Sequence, residues 1–385
     1  VINVARIPLA LYVHLPWCVR KCPYCDFNSH ALPAAGLPER VYLEALLDDL
    51  EFAARDVAGR QIVSVFFGGG TPSLFSADAI GRLLGRAREL LPFAGDVEVT
   101  LEANPGTVEH GGFEAYAAAG VNRVSLGAQS FDDAALLALG RIHVAGDIER
   151  AVAEVRRAGI DDLNLDLMYA LPQQSLEAAR ADVERALALG PSHVSHYQLT
   201  LEPETPFARR PPTGMPDDDV ALEMQQACQE LLGAAGYGQY EVSGYARAGR
   251  QCRHNLAYWR FADYLGIGAG AHGKVTRTDR IERTVRVRHP TGYVGAATPA
   301  ARLAERRDVP PGDLPFEFCL NALRLLEGFT EEAFEARTGL PAGALERPLA
   351  TVLARGLVER SGDRWRPTPL GHRFLNDLQA EFLPA

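Results

Sequence analysis

Three cysteines crowd one short stretch of this chain, LPWCVRKCPYCDFNSH, at residues 15–30. Cys18, Cys22 and Cys25 are spaced C-x3-C-x2-C. Those intervals would place them on one helical face, but Pro23 removes a backbone donor and pushes the residue before it out of helical geometry. A loop wrapped around a metal centre is therefore expected. Outside oxidising compartments, clustered cysteines bind metals or do chemistry more often than they form disulfides. Two centres suit three thiols. One is a zinc site completed by His14 or His30. The other is an iron–sulfur cluster with one iron left without a protein ligand, open to a small molecule. Of the other cysteines, Cys228 shares a helical face with Met224, Ala227 and Leu231, and Cys319 with Phe316 and Leu323, as core packing requires.

Further polar residues stand alone where apolar runs end. Gly68-Gly69-Gly70-Thr71 follows IVSVFF, Glu102 follows VTL, Gln129 lies in LGAQSF, Arg141 in LGRIH and Asp166 in LNLDLMY. Glycines let a backbone approach a ligand closely, although many turns after strands contain them. Each polar residue alone could cap a helix or satisfy a neighbour. Together they describe a ring. The run Gly268–Gly273 fits G-x-G-x-x-G in letters, but it opens no helix, so a dinucleotide site is not expected there.

The elements that must carry this ring alternate. Strands are expected at 9–14, 62–67, 97–101, 123–128, 163–169 and 193–200. Helices are expected at 39–57, 78–91, 112–119, 147–158, 176–189 and 220–235. Leu43, Leu46, Leu47 and Leu50 show the helical period, and Ile148, Ala151, Val152 and Val155 repeat it. Six strand–helix units imply an α/β fold with a parallel sheet: a partial (β/α)6 barrel whose chemistry gathers at the C-terminal strand ends. Beyond residue 240 the alternation stops. Residues 1–285 read as the barrel domain with a glycine-rich extension that holds short strand candidates over 240–284, 286–312 as a connector, and 313–385 as a small α+β domain of three helices and a hairpin, like a winged helix.

With 385 residues, 47% of them apolar, the chain can bury a large core. Its net charge of −10 weighs against a nucleic-acid partner. The sequence shows neither a signal peptide nor an apolar run of the ~20 residues that span a bilayer, so a cytoplasmic protein is expected.

The cysteine motif with Tyr24 before its last cysteine, followed in order by the glycine turn and the strand-end residues, resembles the radical S-adenosylmethionine superfamily. The resemblance implies a [4Fe–4S] cluster on Cys18, Cys22 and Cys25, with S-adenosylmethionine chelating the open iron. It further implies that Tyr12, Tyr24, Gly69, Gly70, Thr71, Glu102, Gln129, Arg141, Asp166 and His272 contact that cofactor. Within the superfamily the chain is similar to the coproporphyrinogen oxidase branch but departs from it twice. That branch carries a further cysteine where Phe27 stands, and a long N-terminal extension where only seventeen residues precede Cys18. The run His254-Asn255-Leu256-Ala257-Tyr258-Trp259, taken with HLPWC and CPYCDFNSH, instead resembles the HemW family of haem chaperones. This implies haem as a ligand, at His254, Tyr258, Trp259 and Cys252, and haem-acceptor proteins as partners, respiratory ones among them, with any membrane association made through such a partner. A neutral imidazole suits haem iron and aromatic rings stack on a porphyrin. The plainer alternative is a buried histidine with two core aromatics. The competing function is a radical enzyme acting on a tetrapyrrole: an oxidative decarboxylase, a methyltransferase or a haem-opening enzyme.

Overall fold

The computed structural model describes residues 2–107 and 112–384. Strand β1 (Leu9–Leu15) alternates, with Leu9, Leu11, Val13 and Leu15 buried on one face and Tyr12 and His14 on the other. Helix α1 (Glu39–Ala54) returns along the apolar face and buries Leu43, Leu46 and Leu50 against it. Burying one such side chain is worth about 1.5–3 kcal/mol, so this face dictates the register. The unit repeats through β2 (Ile62–Gly69), α2 (Ala77–Leu90), β3 (Phe93–Ala103), α3 (Gly112–Ala119), β4 (Arg123–Gln129), α4 (Asp133–Ala138), α5 (Ala145–Arg157), β5 (Asp162–Tyr169), α6 (Leu176–Ala188) and β6 (His193–Gln198). The six strands are parallel neighbours in chain order. This is the expected run of six units, with one addition: α4, too short to show a period in sequence. Ser76 and Ser175 start α2 and α6 by accepting the backbone N–H groups of Ala79 and Ala178.

After α7 (Asp218–Ala234), two short strands extend the sheet beyond β6. Helix α8 (Arg253–Trp259) lies across the inner face of the strands, with Ala257 and Tyr258 against Ala10 and Tyr264. The glycine-rich stretch then enlarges the sheet. Strand β7 (Asp263–Ile267) pairs parallel with the free side of β1, and β8 (His272–Thr276), β9 (Ile281–Arg286) and β10 (Leu303–Asp308) follow antiparallel. The stretch expected as a connector thus carries a helix, Pro290–Val294, and the sheet's edge strand. Its sequence hid the strand because β10 is nearly all exposed and reads LAERRD. Charge along an edge deters pairing with other chains and leaves no apolar alternation to detect.

The C-terminal part has α9 (Leu314–Ala322), β11 (Phe329–Thr330), α10 (Glu331–Thr338), α11 (Glu346–Ala354), β12 (Val358–Ser361) and β13 (Arg364–Pro367), with two short helices after them. The three strands form a small sheet in the order β11-β13-β12. This is the helix-and-hairpin arrangement expected. Its core holds Phe318, Phe334 and Cys319, and also Ile2, Ile7, Phe261 and Ile281 from the larger part. Cys228 is buried in the main core.

Candidate functional site

The inner face of the parallel sheet is polar: Glu98, Thr100 and Glu102 on β3, Arg123 and Ser125 on β4, Asn164 and Asp166 on β5, His193 and Tyr197 on β6. Outer positions of the same strands are aliphatic, and this alternation aims the polar groups inward. At the C-terminal strand ends they border a pocket. Its walls carry Cys18, Cys22, Tyr24 and Cys25 from the loop after β1, Gly69, Gly70 and Thr71 after β2, Glu102, Gln129, Arg141 and Asp166. Residues separated by up to 148 positions in sequence are thus brought together as expected.

Local backbone bonding explains the loop's position. Trp17–Cys18 pairs with His30–Ala31 as a two-residue ribbon, which closes the cysteine loop at its base. The glycines let strand β2 end against this ribbon. A Cβ on Gly70 would lie 2.5 Å from the Trp17 carbonyl oxygen, and one on Gly69 2.6 Å from the His14 ring. The N–H groups of Gly70 and Thr71 donate to the carbonyls of Leu15 and Trp17, both at 2.8 Å. Gly69 N–H donates to Glu102 Oε2 at 3.1 Å.

Two acids and one base face the cavity. Burial, and secondarily the nearby Asp166, raises the Glu102 carboxyl to about 8. Burial also raises Asp166, although Asn164 and Ser125 donate to it at 2.7 and 3.2 Å. Arg141 donates to Cys22 Sγ at 3.6 Å, to the Gly127 carbonyl at 2.8 Å and to Asn104 Oδ1. Among the described residues its Nε is buried without a partner. Burial raises the Cys18 and Cys25 thiols, so metal must displace their protons. Gln129 holds φ of 69°, a left-handed conformation costing about 1–3 kcal/mol in a residue with a side chain. The bend turns its side chain to accept from the Tyr197 hydroxyl at 2.8 Å.

Three thiols, Cys18, Cys22 and Cys25, share one wall of the pocket, a donor set that fits a cluster. Among the described residues no three His, Cys, Asp or Glu side chains converge on one ion position. A cubane takes its thiolates at separate corners. His14 and His30, the candidates for a fourth zinc ligand, are not among the residues that line the pocket. His14 is held between the Tyr12 hydroxyl and the Asn28 carbonyl, each at 2.9 Å. Tyr12 and His272 are two further departures, since neither lines the pocket. The Tyr12 hydroxyl is engaged by His14, and its ring stacks beside Phe66 beneath Gly68. His272 is exposed at the start of β8.

The residues expected to hold haem gather elsewhere, at the N-terminal side of the strands. Glu98 accepts the N–H groups of Arg253 and His254 at 2.9 and 3.3 Å and faces the Cys252 thiol at 3.5 Å. The His254 ring stacks on Phe66 at 4.7 Å and leans on Tyr258 at 5.0 Å. Burial lowers its pKa to about 3, so the imidazole is neutral. Tyr258 stacks on Tyr264 at 4.2 Å, and the Arg324 guanidinium covers Trp259 at 4.2 Å. These rings plug the sheet's inner face. A porphyrin reaches His254 only if α8 withdraws.

Comparison with known proteins agrees with this geometry. The radical SAM superfamily model matches residues 12–186, and the HemN C-terminal domain model matches 309–374. The protein named Heme chaperone HemW from Escherichia coli is 49% identical, over 98% of both chains. The chain belongs to the HemW family. Heme chaperone HemW of Mycobacterium tuberculosis H37Rv is 38% identical, over 96% of this chain and 93% of that one. Coproporphyrinogen III oxidase (HemN) from Escherichia coli shares the fold, with a TM-score of 0.82 and 23% identity over 98% of this chain and 90% of that one. Like that enzyme, this HemW-family chain pairs a radical SAM sheet with a HemN-type C-terminal domain. Asn104, Ser125 and Tyr197, which sequence reasoning passed over, also line the pocket. Asn104 bridges two expected residues, donating to Thr71 Oγ1 at 2.8 Å and accepting from Arg141. Its place two residues after Glu102, at a strand end, was the available sign.

Proposed function

We propose that this protein is a haem chaperone that carries a [4Fe–4S] cluster on Cys18, Cys22 and Cys25, binds S-adenosylmethionine at the open iron, and passes haem to acceptor proteins. The observation that carries the reading is near-full-length similarity, at 49% identity, to a protein named Heme chaperone HemW. The pocket chemistry supports the cofactors. Glu102 and Asp166 suit ribose hydroxyls, Arg141 suits a carboxylate, and Thr71 and the glycine turn border the position of an amino group. When bound, the cluster and cofactor supply one-electron chemistry. The chain's own part is to orient them: Asn104 ties Thr71 to Arg141, and Tyr197 fixes Gln129. Phe27 occupies the position that is cysteine in the oxidase branch. It is 61% exposed, on the lip of the pocket.

Anaerobically prepared protein should contain iron and sulfide that Cys18→Ala, Cys22→Ala and Cys25→Ala each deplete. It should bind haem with a Soret band and release it to an apo acceptor. Incubation with coproporphyrinogen III, reductant and S-adenosylmethionine should give no protoporphyrinogen, and turnover there would overturn the chaperone reading.

A further inference from the structure

Asn28, in the cysteine loop, settles the tautomer of His30. Its Nδ2 donates to two carbonyls, those of Ala269 and Arg288, both at 2.9 Å. Only an amide nitrogen can serve two carbonyls, so the orientation of this amide is fixed and Oδ1 is the atom that faces His30. His30 Nε2 lies 3.2 Å from that oxygen and must carry the proton. Its Nδ1 is therefore the bare nitrogen, and it has no hydrogen bond among the described residues. An imidazole with one N–H anchored on a carbonyl oxygen and the other nitrogen free is the arrangement of a metal-ligating histidine. His289, whose ring meets that of His30 edge-on at 5.1 Å, holds the same tautomer for a different reason. Its Nδ1 accepts from Thr291 N–H at 3.3 Å, so its Nε2 carries the proton.

The surroundings match one kind of ligand. Phe27, 61% exposed on the lip of the pocket, offers an apolar ring three residues before His30 in the same loop. Lys21, its Nζ held by the Phe27 and Ser29 carbonyls at 2.9 and 3.2 Å, and the exposed Arg288, whose Nε donates to Asn28 Oδ1 at 3.4 Å, bring two cations near His30. An apolar plane, an iron ligand and two cations recognise an iron porphyrin with its two carboxylates. His254, by contrast, is enclosed by Phe66 and Tyr258.

We propose that His30 Nδ1 is an axial ligand of haem iron, at a surface site formed by the outer side of the cysteine loop. The proposal rests on the haem-binding reading and locates the site. The test is haem titration of cluster-containing protein, followed by the Soret band and by electron paramagnetic resonance. His30→Ala should weaken binding by about tenfold or more and change the ligand signature, while iron and sulfide stay at wild-type levels. Added imidazole should restore the wild-type spectrum in that variant, which a merely structural role would not allow. If His30→Ala loses its cluster, His30→Met takes its place: it should still bind haem, with a spectrum shifted by the thioether. Wild-type affinity and spectra in His30→Ala, or in His30→Met, overturn the assignment, as does a loss of binding in His30→Ala that imidazole does not reverse. Failure of the wild type itself to bind haem overturns the chaperone reading and this site with it. Binding by His30→Ala at wild-type affinity and with the wild-type spectrum overturns this site alone.

Discussion

Glu102 shows how a single side chain can store the pocket's response to pH. Its ordinary value is 4.5, and burial with Asp166 nearby raises it to about 8. The folded, ligand-free protein therefore keeps a proton that the unfolded chain releases above 4.5. Stability from this group is highest at acid pH and falls as pH rises through that window to about 8, above which the penalty is complete. In ligand-free protein, Glu102→Gln should flatten the fall in Tm between about pH 5 and pH 9. Asp182, raised to about 6 by burial, would leave a smaller slope in both proteins. Identical profiles would show that Glu102 ionises normally. The residues of the pocket were legible because each is one polar letter ending an aliphatic strand. Tyr12 and His272 were legible as polar positions, but not in their side-chain partners. His14 engages Tyr12, and His272 stands exposed at the start of β8. The tautomer of His30 depends on Asn28 meeting Ala269 and Arg288, contacts across some 240 to 260 residues that no local pattern encodes.

At the scale of elements, the cysteine loop is steadied from behind by α1 and by the turn between β7 and β8. Asp49 of α1 is fully buried and accepts from Arg286 Nε at 2.9 Å and from the Tyr293 hydroxyl at 2.8 Å. It also accepts the Gly268 N–H at 3.3 Å. Tyr42, on the same helix, donates to the His14 carbonyl and accepts from Ala269 N–H, both at 2.8 Å. Removing one member of a buried ion pair strands the other charge, at a cost of roughly 3–5 kcal/mol. Asp49→Ala should lower unfolding free energy by about that amount in denaturant titration, with Arg286 left unpaired. A loss within about 1 kcal/mol would mean the guanidinium finds water or another acceptor. Of the strands that complete this support, β7 to β9 showed in the sequence only as unplaced short strand candidates and β10 escaped it, for physical reasons. β7 is five residues long with a glycine inside, and β10 is a charged edge. Periodicity reveals an element only where one face is apolar and the other is not.

Across the whole molecule, the two cores are joined rather than stacked as independent bodies. The smaller core takes Ile2 and Ile7 from the chain's start, Phe261 from the end of α8 and Ile281 from β9. Phe318 is its hub: its ring meets Phe261, Phe329 and Phe334 edge-on at 5.6, 5.1 and 5.3 Å. The C-terminal part therefore covers apolar surface that the sheet extension would otherwise expose, and each part loses contacts when the other unfolds. Such sharing makes unfolding a single transition, although chains with two cores often show two. Truncating a buried phenylalanine costs about 3–5 kcal/mol. Phe318→Ala should lower the midpoint of denaturant unfolding by that equivalent, and circular dichroism, tryptophan fluorescence and cluster absorbance should move together. Trp17 reports the main core and Trp365 the smaller one. If fluorescence from Trp365 is lost at lower denaturant than the cluster absorbance, the C-terminal part unfolds alone, and the shared core contributes less than its ring contacts imply.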